Sequence, residues 1–484
     1  MHRHLTDYLE QHAKTSPAKL ALVTDDASLT WQELWRRVEP VANLFNARLS
    51  SDEQQVVAIL MPNTWQYVVA YLAIIHAGHI ALPVDVIYKP LEIDAVIQQV
   101  PPALVITDRA NKNRIASQVA EVLTFEELTA STPPPDKLQP LRLPADEQIA
   151  SLFFTSGTTG KPKAAPNTHA NHIWNIKTCS KVWNWTADDS QLTNVRLSHM
   201  IGLVMGLSGT LYHGSTMYLQ DRFNAENTLR MLASGKITMF SHGPLVYAQL
   251  LEVPNRDKYD LSKVRLFISG SGPLPPPVWQ KFKNVFGAEI LEVYGSTETG
   301  RITSNLLDER IPGSPGRPLP GVNIKLSKTG EILVKSPGVF PGYWRNLPAT
   351  KKASATDGYW RTGDIGELKD GRLILRGRTQ EIIRKKGYTV SPRDVEWALH
   401  KSPGIKEVLV MGVPEPGNPD DRIVYFVVGE IKEDDLHDFC KTNLPSVWRA
   451  DRIIKLDKLP TRPNGKPELA KLKAMVQESV GVKS

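Results

Sequence analysis

The apolar positions in the first part of the chain alternate between helical spacing and short continuous runs. Positions 29–45 have helical spacing, and Thr30 with Glu33 at their start forms the pattern of a capping box. Further strands and helices are predicted, in turn, at 56–60, 64–78 and 103–107. Because strands that alternate with helices build layered sheets, this part of the chain is predicted to be α/β.

Three more apolar runs in the middle of the chain are each followed by a polar turn rich in glycine. These runs are 149–154, 264–269 and 290–294. Ligands of α/β sheets bind preferentially outside the carboxyl ends of the strands. The turns that follow the runs are therefore where the sequence predicts a binding site.

From about position 322 the apolar period changes to every second residue. Positions 322–326 and 332–334 alternate on either side of Thr329 and Gly330, which predicts an antiparallel hairpin. A second hairpin is predicted to turn at Asp370-Gly371. The chain thus leaves the α/β pattern and enters an antiparallel segment.

A new pattern begins after Gly377-Arg378. The run Ser-Pro-Arg-Asp at 391–394 predicts a helix start with an N-cap, a proline at the first helical position and a capping box. Strands are predicted near Val408 and at 423–428. We therefore expect a large N-terminal domain of layered sheets and helices, 1–379, and a small α+β C-terminal domain, 380–484.

The composition is that of an ordinary globular chain, since 41% of its 484 residues are hydrophobic and 23% are charged. The longest interior apolar stretch, 67–75, falls well short of the roughly 20 residues that cross a bilayer. The N-terminus lacks the apolar core of a secretory signal, so a cytoplasmic protein is expected. The two cysteines, Cys179 and Cys440, are too few for a disulfide framework or a thiolate metal site.

The formal net charge of +7 raises the question of a nucleic-acid partner. The basic residues are scattered along the chain, and no RNA- or DNA-binding motif spacing occurs. A polyanionic small substrate accounts for the positive surplus more simply. No nucleic-acid partner is therefore expected.

The segment Thr-Ser-Gly-Thr-Thr-Gly-Lys-Pro-Lys directly follows the predicted strand at 149–154. Its hydroxyls, backbone amides and cations suit a polyphosphate, whereas an ordinary polar surface turn is the alternative. It is not a Walker A loop, because that motif would need glycine in place of Pro162. The candidate phosphate-binding residues are Thr155, Ser156, Gly157, Thr158, Thr159, Gly160, Lys161 and Lys163.

Together with this loop, four later motifs resemble those of the acyl-activating adenylate-forming (AMP-binding) superfamily, in the same order. Residues 294–298, Tyr-Gly-Ser-Thr-Glu, match its YGxTE motif, and residues 359–364 match Y-x-R/K-T-G-D. Gly-Arg at 377–378 matches the start of its hinge segment. Residues 460–466 match P-x-T-x-x-G-K, except that Arg462 replaces a threonine. The residues of these motifs are most similar to those of acyl- and aryl-CoA synthetases.

The resemblance implies a role for each matching residue around ATP. The loop would hold the β- and γ-phosphates, Glu298 would help to hold Mg²⁺, and Thr297 would lie near the α-phosphate. The groups implied around the rest of the nucleotide are Tyr294, Gly295, Asp364 and Arg378. The tyrosine would offer a flat face to adenine, and the aspartate and arginine would bind the ribose.

The resemblance also implies that the C-terminal domain is mobile and carries the groups that differ between two half-reactions. Lys466 would be the catalytic cation of adenylation, between the attacking carboxylate and the α-phosphate. Gly387 would let a pantetheine arm pass to the site, because it has no side chain. Gln380 occupies the hinge position, where the superfamily usually has Asp or Lys.

The candidate acyl pocket includes the segment 196–202, which resembles the PLFHxxG segment of acyl- and aryl-CoA synthetases. Its candidate residues are His199, Met200, Ser271 and Gly272. No aspartate stands where amino-acid-activating members pair the substrate ammonium, so the acid is expected to be a fatty or aryl acid without an α-amine. A purely structural role for His199 is equally open.

The resemblance implies an acid–thiol ligase that makes an acyl-adenylate and transfers the acyl group to a thiol, most simply that of coenzyme A. An adenylating enzyme that loads the phosphopantetheine of a separate carrier protein is the alternative. A nucleotide-binding pseudoenzyme is a third, disfavoured because Lys466, Glu298 and Asp364 are all present. The expected ligands are a small carboxylic acid, Mg²⁺, ATP and CoA or phosphopantetheine.

Overall fold

The computed structural model describes residues 4–49, 52–115, 121–130, 145–155, 162–386, 388–415, 418, 420–461 and 467–478. The strands are β1 Leu20–Val23, β2 Ser28–Thr30, β3 Val56–Leu60, β4 Ile80–Pro83, β5 Leu104–Thr107, β6 Val122–Thr124, β7 Ile149–Thr155, β8 Lys163–Thr168, β9 Ser190–Thr193, β10 Thr216–Leu219, β11 Met239–His242, β12 Leu266–Ser269, β13 Ile290–Ser296, β14 Gly300–Ser304, β15 Arg317–Pro318, β16 Asn323–Leu326, β17 Glu331–Lys335, β18 Trp360–Lys369, β19 Arg372–Arg378, β20 Ile383–Lys385, β21 Tyr388–Val390, β22 Ile405–Pro414, β23 Asp421–Gly429 and β24 Arg452–Lys455.

The α-helices are α1 Leu5–Thr15, α2 Trp31–Arg48, α3 Trp65–His76, α4 Pro90–Gln99, α5 Phe125–Thr129, α6 His169–Trp183, α7 Gly209–His213, α8 Ala225–Leu232, α9 Pro244–Leu251, α10 Pro276–Phe286, α11 Leu347–Ala353, α12 Pro392–Leu399, α13 Glu433–Asn443 and α14 Leu469–Glu478. A π-helix, Ile201–Ser208, precedes α7. No helix in the described ranges is long and apolar enough to cross a membrane.

Two mainly parallel sheets form the body of the N-terminal part. The larger has the strand order β15-β14-β13-β12-β11-β9-β10-β1-β2, and the smaller has the order β6-β5-β3-β4-β7-β8. Every residue of β3 is buried, which is typical of a parallel strand covered by helices on both faces. The predicted α/β class is therefore confirmed.

The predicted start of α2 is confirmed in detail. Thr30 Oγ1 accepts a hydrogen bond from the Glu33 backbone N at 3.2 Å, and Glu33 Oε2 accepts one from the Thr30 backbone N at 2.8 Å. Such a capping box satisfies two otherwise unpaired amides at the helix start. The buried side chains of α2 include Leu34, Val38 and Phe45, so its apolar spacing faces the core.

The two predicted hairpins are confirmed, and the second one positions the nucleotide site. Ile324 pairs with Val334 in the first hairpin. In the second, Asp370 and Gly371 both have positive φ, as a tight hairpin turn requires, and they join β18 to β19. The register of that hairpin places Asp364 opposite Arg378.

Helix α12 begins as predicted after Ser391, whose Oγ accepts a hydrogen bond from the Asp394 backbone N at 3.2 Å. The second half of the predicted capping box is wrong. Asp394 Oδ1 accepts instead from Arg376 Nη1 at 2.8 Å, because a guanidinium is a stronger donor than a backbone amide. The domain boundary between 379 and 380 stays a prediction.

A contact between α12 and β13 joins the two parts of the chain. Arg393 Nη2 lies 3.5 Å from Glu292 Oε1, and both side chains are almost fully buried. Burial raises the pKa of Glu292 to about 7 despite this guanidinium. The Arg393 guanidinium also lies 4.3 Å from the ring centre of Trp397. These contacts dock α12 against the strand that leads into the YGxTE motif.

Buried Glu396 of α12 predicts a pH-dependent stability. Burial raises the pKa of its carboxyl from 4.5 to about 8. Since folding favours the protonated form, this group contributes its full stabilisation below pH 4.5 and loses it as the pH rises towards 8. Glu396→Gln keeps an oxygen to accept from Val410 N, which lies 2.8 Å away. We expect its gain in unfolding free energy over the wild type to be about 4 kcal/mol larger near pH ~9 than near pH ~5. Denaturant unfolding measures this, and an equal gain at both pH values would contradict it.

Candidate active site

Tyr294, Asp364 and Arg378 form one hydrogen-bonded cluster. Tyr294 Oη donates to Asp364 Oδ2 at 2.7 Å, and Arg378 Nε lies 3.2 Å from Asp364 Oδ1. Burial, reinforced by the Asp364 charge, raises the pKa of the Tyr294 phenol. The Asp364 charge raises the pKa of the Arg378 guanidinium. The cluster therefore presents a fixed carboxylate and a fixed cation side by side.

The backbone of β18 holds Asp364 in this position. Thr362 Oγ1 donates to the Ile332 carbonyl at 2.8 Å and accepts from the Asp364 backbone N at 3.1 Å. The Asp364 side chain keeps 13% of its surface exposed, so part of the carboxylate is accessible to a ligand. A carboxylate of this kind can accept from two neighbouring hydroxyls.

The YGxTE motif forms the end of β13 and the turn into β14. A Cβ at Gly295 would lie 2.1 Å from the Gly300 carbonyl oxygen, so only glycine fits there. The Ser296 backbone N donates to Thr299 Oγ1 at 3.1 Å, which closes the turn. Thr297 and Glu298 lie within this turn, at the strand end where the sequence predicts a site.

Tyr343 links Glu298 to the base of the predicted phosphate loop. Tyr343 Oη donates to Glu298 Oε1 at 3.0 Å, and Lys163 Nζ lies 4.8 Å from the centre of the same ring. Lys163 pairs with Thr155 across the β7–β8 hairpin, and Thr155 Oγ1 donates to its carbonyl at 3.4 Å. The two described ends of the loop thus lie beside Glu298, whereas positions 156–161 lie outside the described residues.

The donor set around Glu298 fits a Mg²⁺ ion that is shared with phosphate. Carboxylate oxygen is a hard ligand that Mg²⁺ prefers, and Mg²⁺ is commonly bound by one or two carboxylates plus substrate phosphates. No group of three or more His, Cys, Asp or Glu side chains in the described ranges could hold a metal by itself. Glu298 would therefore hold the ion together with phosphate oxygens.

The hydrogen bond between Tyr343 and Glu298 gives a testable prediction. Tyr343→Phe removes the donor that orients the carboxylate, and we expect the Mg²⁺ concentration for half-maximal activity to rise by about tenfold. Tyr218→Phe, on β10 away from this site, is the control and should leave the Mg²⁺ requirement unchanged. A Tyr343→Phe enzyme with the wild-type Mg²⁺ requirement would contradict the role of this contact.

His199, a candidate acyl-pocket residue, contacts the buried carboxylate of Asp85, which belongs to none of the sequence motifs. His199 Nε2 lies 3.1 Å from Asp85 Oδ2, and Arg196 Nε lies 3.4 Å from Asp85 Oδ1. Burial favours the neutral acid, but His199 and Arg196 still hold the pKa of Asp85 below its ordinary value. His199 and Asp85, together with Ser198 and Phe154, line a small pocket. The sequence signal for Asp85 is an aspartate two residues after a buried strand, β4.

Met200 directly precedes the π-helix Ile201–Ser208 and is partly buried. π-Helical turns are rare in proteins, but those that occur are often found at functional sites. A Cβ at Gly202 would lie 2.5 Å from the Arg196 carbonyl oxygen, so the glycine permits the close return of the chain. Ser271 and Gly272 follow the carboxyl end of β12, and Ser271 has a φ of 68°.

The remaining candidates are those of the C-terminal part: Gln380, Gly387 and Lys466. Gln380 is exposed and lies two residues after β19, next to Thr379, whose backbone N donates to the Gly363 carbonyl at 2.9 Å. Lys466 and Gly387 lie outside the described residues. The geometry thus brings the nucleotide candidates of the YGxTE motif and the β18–β19 hairpin together. Tyr294 and Glu298 belong to the same motif, so the cluster around Asp364 and the contact between Tyr343 and Glu298 lie at the same end of β13.

Comparison with known proteins gives the same assignment along the whole chain. The family model for AMP-binding enzymes matches residues 9–344, and that for the AMP-binding enzyme C-terminal domain matches residues 394–466. The chain is 29% identical to the mitochondrial malonate–CoA ligase ACSF3 of Mus musculus, covering 93% of this chain and 87% of that protein. It is 30% identical to the 2-succinylbenzoate–CoA ligase of Listeria monocytogenes, covering 97% of this chain and 99% of that protein.

Solved structures agree with this. ATP-bound MatB from Rhodopseudomonas palustris superimposes with a TM-score of 0.90 at 28% identity, over 99% of this chain and 100% of that one. The o-succinylbenzoate CoA synthetase MenE from Bacillus subtilis, in complex with its acyl-adenylate intermediate, superimposes with a TM-score of 0.85 at 26% identity, over 96% and 97%. The chain therefore belongs to the AMP-binding enzyme family of adenylate-forming ligases.

Proposed function

We propose that this chain is an AMP-forming acid:CoA ligase that activates a carboxylic acid without an α-amino group through an acyl-adenylate. The observation that carries the proposal is the 2.7 Å hydrogen bond between Tyr294 of the YGxTE motif and Asp364 of the β18–β19 hairpin. On one side, Tyr294 and Asp364 suit a nucleoside; on the other, Glu298 and Lys163 suit phosphates and their metal ion. Similarity to several CoA ligases over nearly the whole chain supports it.

In the first half-reaction a carboxylate oxygen of the acid attacks the α-phosphorus of ATP, and the bond from that phosphorus to the bridging oxygen breaks. Pyrophosphate leaves with the electron pair. The two reacting anions repel by about 4 kcal/mol at 4 Å in a medium of effective dielectric ~20, so cations must meet them first. Lys163 lies on the phosphate side, and Lys466 would serve the attacking carboxylate.

Positioning is the other contribution of this chain to the first step. Asp364 would accept from the ribose hydroxyls, Arg378 would donate to the same sugar, and Tyr294 would lie beside adenine. Thr297 and the backbone near Gly295 would approach the α-phosphate. Mg²⁺, when bound at Glu298, neutralises phosphate charge.

In the second half-reaction the sulfur of a thiol attacks the acyl carbon, the bond from that carbon to the phosphate oxygen breaks, and AMP leaves. The thiol proton passes to solvent. Rotation about Gln380 would bring Gly387 to the site, where its missing side chain leaves room for a pantetheine arm. The acyl group itself would lie against His199, Met200, Ser271 and Gly272. Asp85 would fix the orientation of His199.

CoA is favoured over a carrier protein as the thiol because relatives that match nearly full length are named as CoA ligases. Their named acids, malonate and 2-succinylbenzoate, also lack an α-amine. Activation of a fatty or aryl acid, as expected from the motif wording, stays a prediction. So does a cytoplasmic location.

The proposal is tested with the full chain, Mg²⁺ and ATP. Acid-dependent exchange of labelled pyrophosphate into ATP is measured with a panel of aliphatic, aryl and amino acids, and CoA or a phosphopantetheinyl carrier protein is then added. We expect exchange with at least one non-amino acid and thioester formation with CoA. Thioester only on the carrier would support the carrier-loading alternative. ATP binding without exchange for any acid would identify a pseudoenzyme and refute the proposal.

A further inference from the structure

Arg301 of β14 carries a positive charge, and no carboxylate among the described residues forms an ion pair with it. Its backbone N donates to Asn175 Oδ1 at 2.7 Å, but its guanidinium forms no ion pair within the described part of the chain. The arginines of the site differ in this respect, because Arg196 has Asp85 and Arg378 has Asp364. The YGxTE motif ends at Glu298, so Arg301 lies beyond the residues to which the resemblance gives a role.

The guanidinium of Arg301 reaches across β13 to the end of β12. A Cβ at Gly270 would lie 3.0 Å from Arg301 Nη1 and 2.9 Å from Val293 Cγ2. Gly270 directly precedes Ser271 and Gly272, the predicted acyl-pocket residues. The missing side chain at position 270 therefore leaves room for the guanidinium beside this turn.

Helix α6 lies beside Arg301, because its Asn175 Oδ1 accepts from the Arg301 backbone N at 2.7 Å. Val293, next to the guanidinium, belongs to the same apolar cluster as Leu203 and Val204 of the π-helix. Helix α6 packs against both β14 and the π-helix. Arg301 therefore lies between helix α6 and the turn that leads from Gly270 to Ser271.

Arg301 is deep in the protein without being fully covered. Burial lowers the pKa of its guanidinium, and yet the residue keeps an accessible surface. A buried charge is costly unless it is paired. A guanidinium presents a planar fork of donors that matches a carboxylate bidentately. An anionic ligand group is the partner that this environment lacks.

We propose that Arg301 binds a second carboxylate of the substrate, so that the acid activated here is a short dicarboxylic acid. This deepens the proposed function and rests on it, and it replaces the fatty or aryl acid that the motifs alone predict. One carboxylate reacts at the α-phosphate, and the other is held by Arg301 at the far side of the acyl pocket. Arg196 and His199 are already engaged, because each contacts one oxygen of the Asp85 carboxylate.

The test compares acids of equal chain length that differ in one carboxylate: malonate with propionate, succinate with butyrate, and glutarate with valerate. Pyrophosphate exchange gives kcat/KM for each acid. We expect at least one dicarboxylate to exceed its monocarboxylate partner by about 100-fold in the wild type, since a desolvated charge pair has about this effect. Arg301→Met should abolish the preference with the monocarboxylate unchanged or improved, and Arg301→Lys should keep part of it.

Arg310→Met is the matched control, because Arg310 is also a partly buried arginine but is paired with Glu289 away from the site. It should keep the wild-type preference. If Arg301→Met keeps the preference, or loses both acid classes equally while it binds Mg-ATP normally, the assignment of Arg301 is wrong. Wild-type exchange with monocarboxylates alone would refute the dicarboxylate class even if no Arg301 variant folds. Absence of exchange with every acid would instead refute the proposed function.

Discussion

Lys466→Ala is expected to lower acid-dependent pyrophosphate release by about a hundredfold or more, while thioester formation from supplied acyl-adenylate largely survives. The physical reason is that charge accumulates on the α-phosphoryl group only while the carboxylate attacks it. A cation placed there stabilises the transition state of adenylation. The acyl-adenylate that the thiol attacks no longer carries the pyrophosphate charge, so the second step does not need the same lysine.

Two half-reactions assayed separately measure this effect. Lys458→Ala is the control, since Lys458 is an exposed lysine shortly before the same motif. It should retain both half-reactions. Equal loss of both half-reactions in Lys466→Ala would show that the lysine acts on folding or on a shared step instead of on adenylation.

Asp364→Asn is expected to weaken ATP binding by about 100-fold, because a hydrogen bond to a charged acceptor contributes roughly 1.5–3 kcal/mol and the ribose offers two hydroxyls. The change also leaves Arg378 without its counter-charge, which lies 3.2 Å away. Isothermal titration with Mg-ATP measures the loss.

Asp370→Asn is the matched control for this variant. Asp370 lies at the turn of the same β18–β19 hairpin with 72% of its side chain exposed. Loss of the Asp370 charge in this variant should leave the ATP affinity unchanged. An Asp364→Asn enzyme with wild-type ATP affinity and a normal unfolding transition would remove Asp364 from the nucleotide site.

Local features of the fold were predictable from the sequence because their causes are local. The capping box at Thr30 depends on a residue three positions away, and the hairpin at Asp370 depends on the alternation beside it. At Asp394 the same reasoning was only half right. There the carboxylate accepts from Arg376, a residue of a neighbouring strand whose approach no local pattern indicates.

The candidate site was also only partly predictable from the sequence. The motif residues Tyr294 and Asp364 were identified, but their direct hydrogen bond joins positions far apart in the chain. Tyr343 stands outside every motif and is recognised only through its contact with Glu298. Asp85 likewise follows an ordinary buried strand, and it is recognised as part of the site only through its contact with His199. Such contacts depend on the order of strands in the sheets, which periodicity does not specify.

The central claim, that a carboxylate attacks the α-phosphorus while this chain holds both anions, is tested most directly by the fate of the carboxylate oxygens. An acid labelled in its carboxyl group with heavy oxygen is incubated with enzyme, Mg-ATP and CoA, and the AMP is analysed by mass spectrometry. We predict that each AMP formed carries one labelled oxygen. Thioester formation with unlabelled AMP, or release of ADP and orthophosphate instead of AMP, would contradict the mechanism.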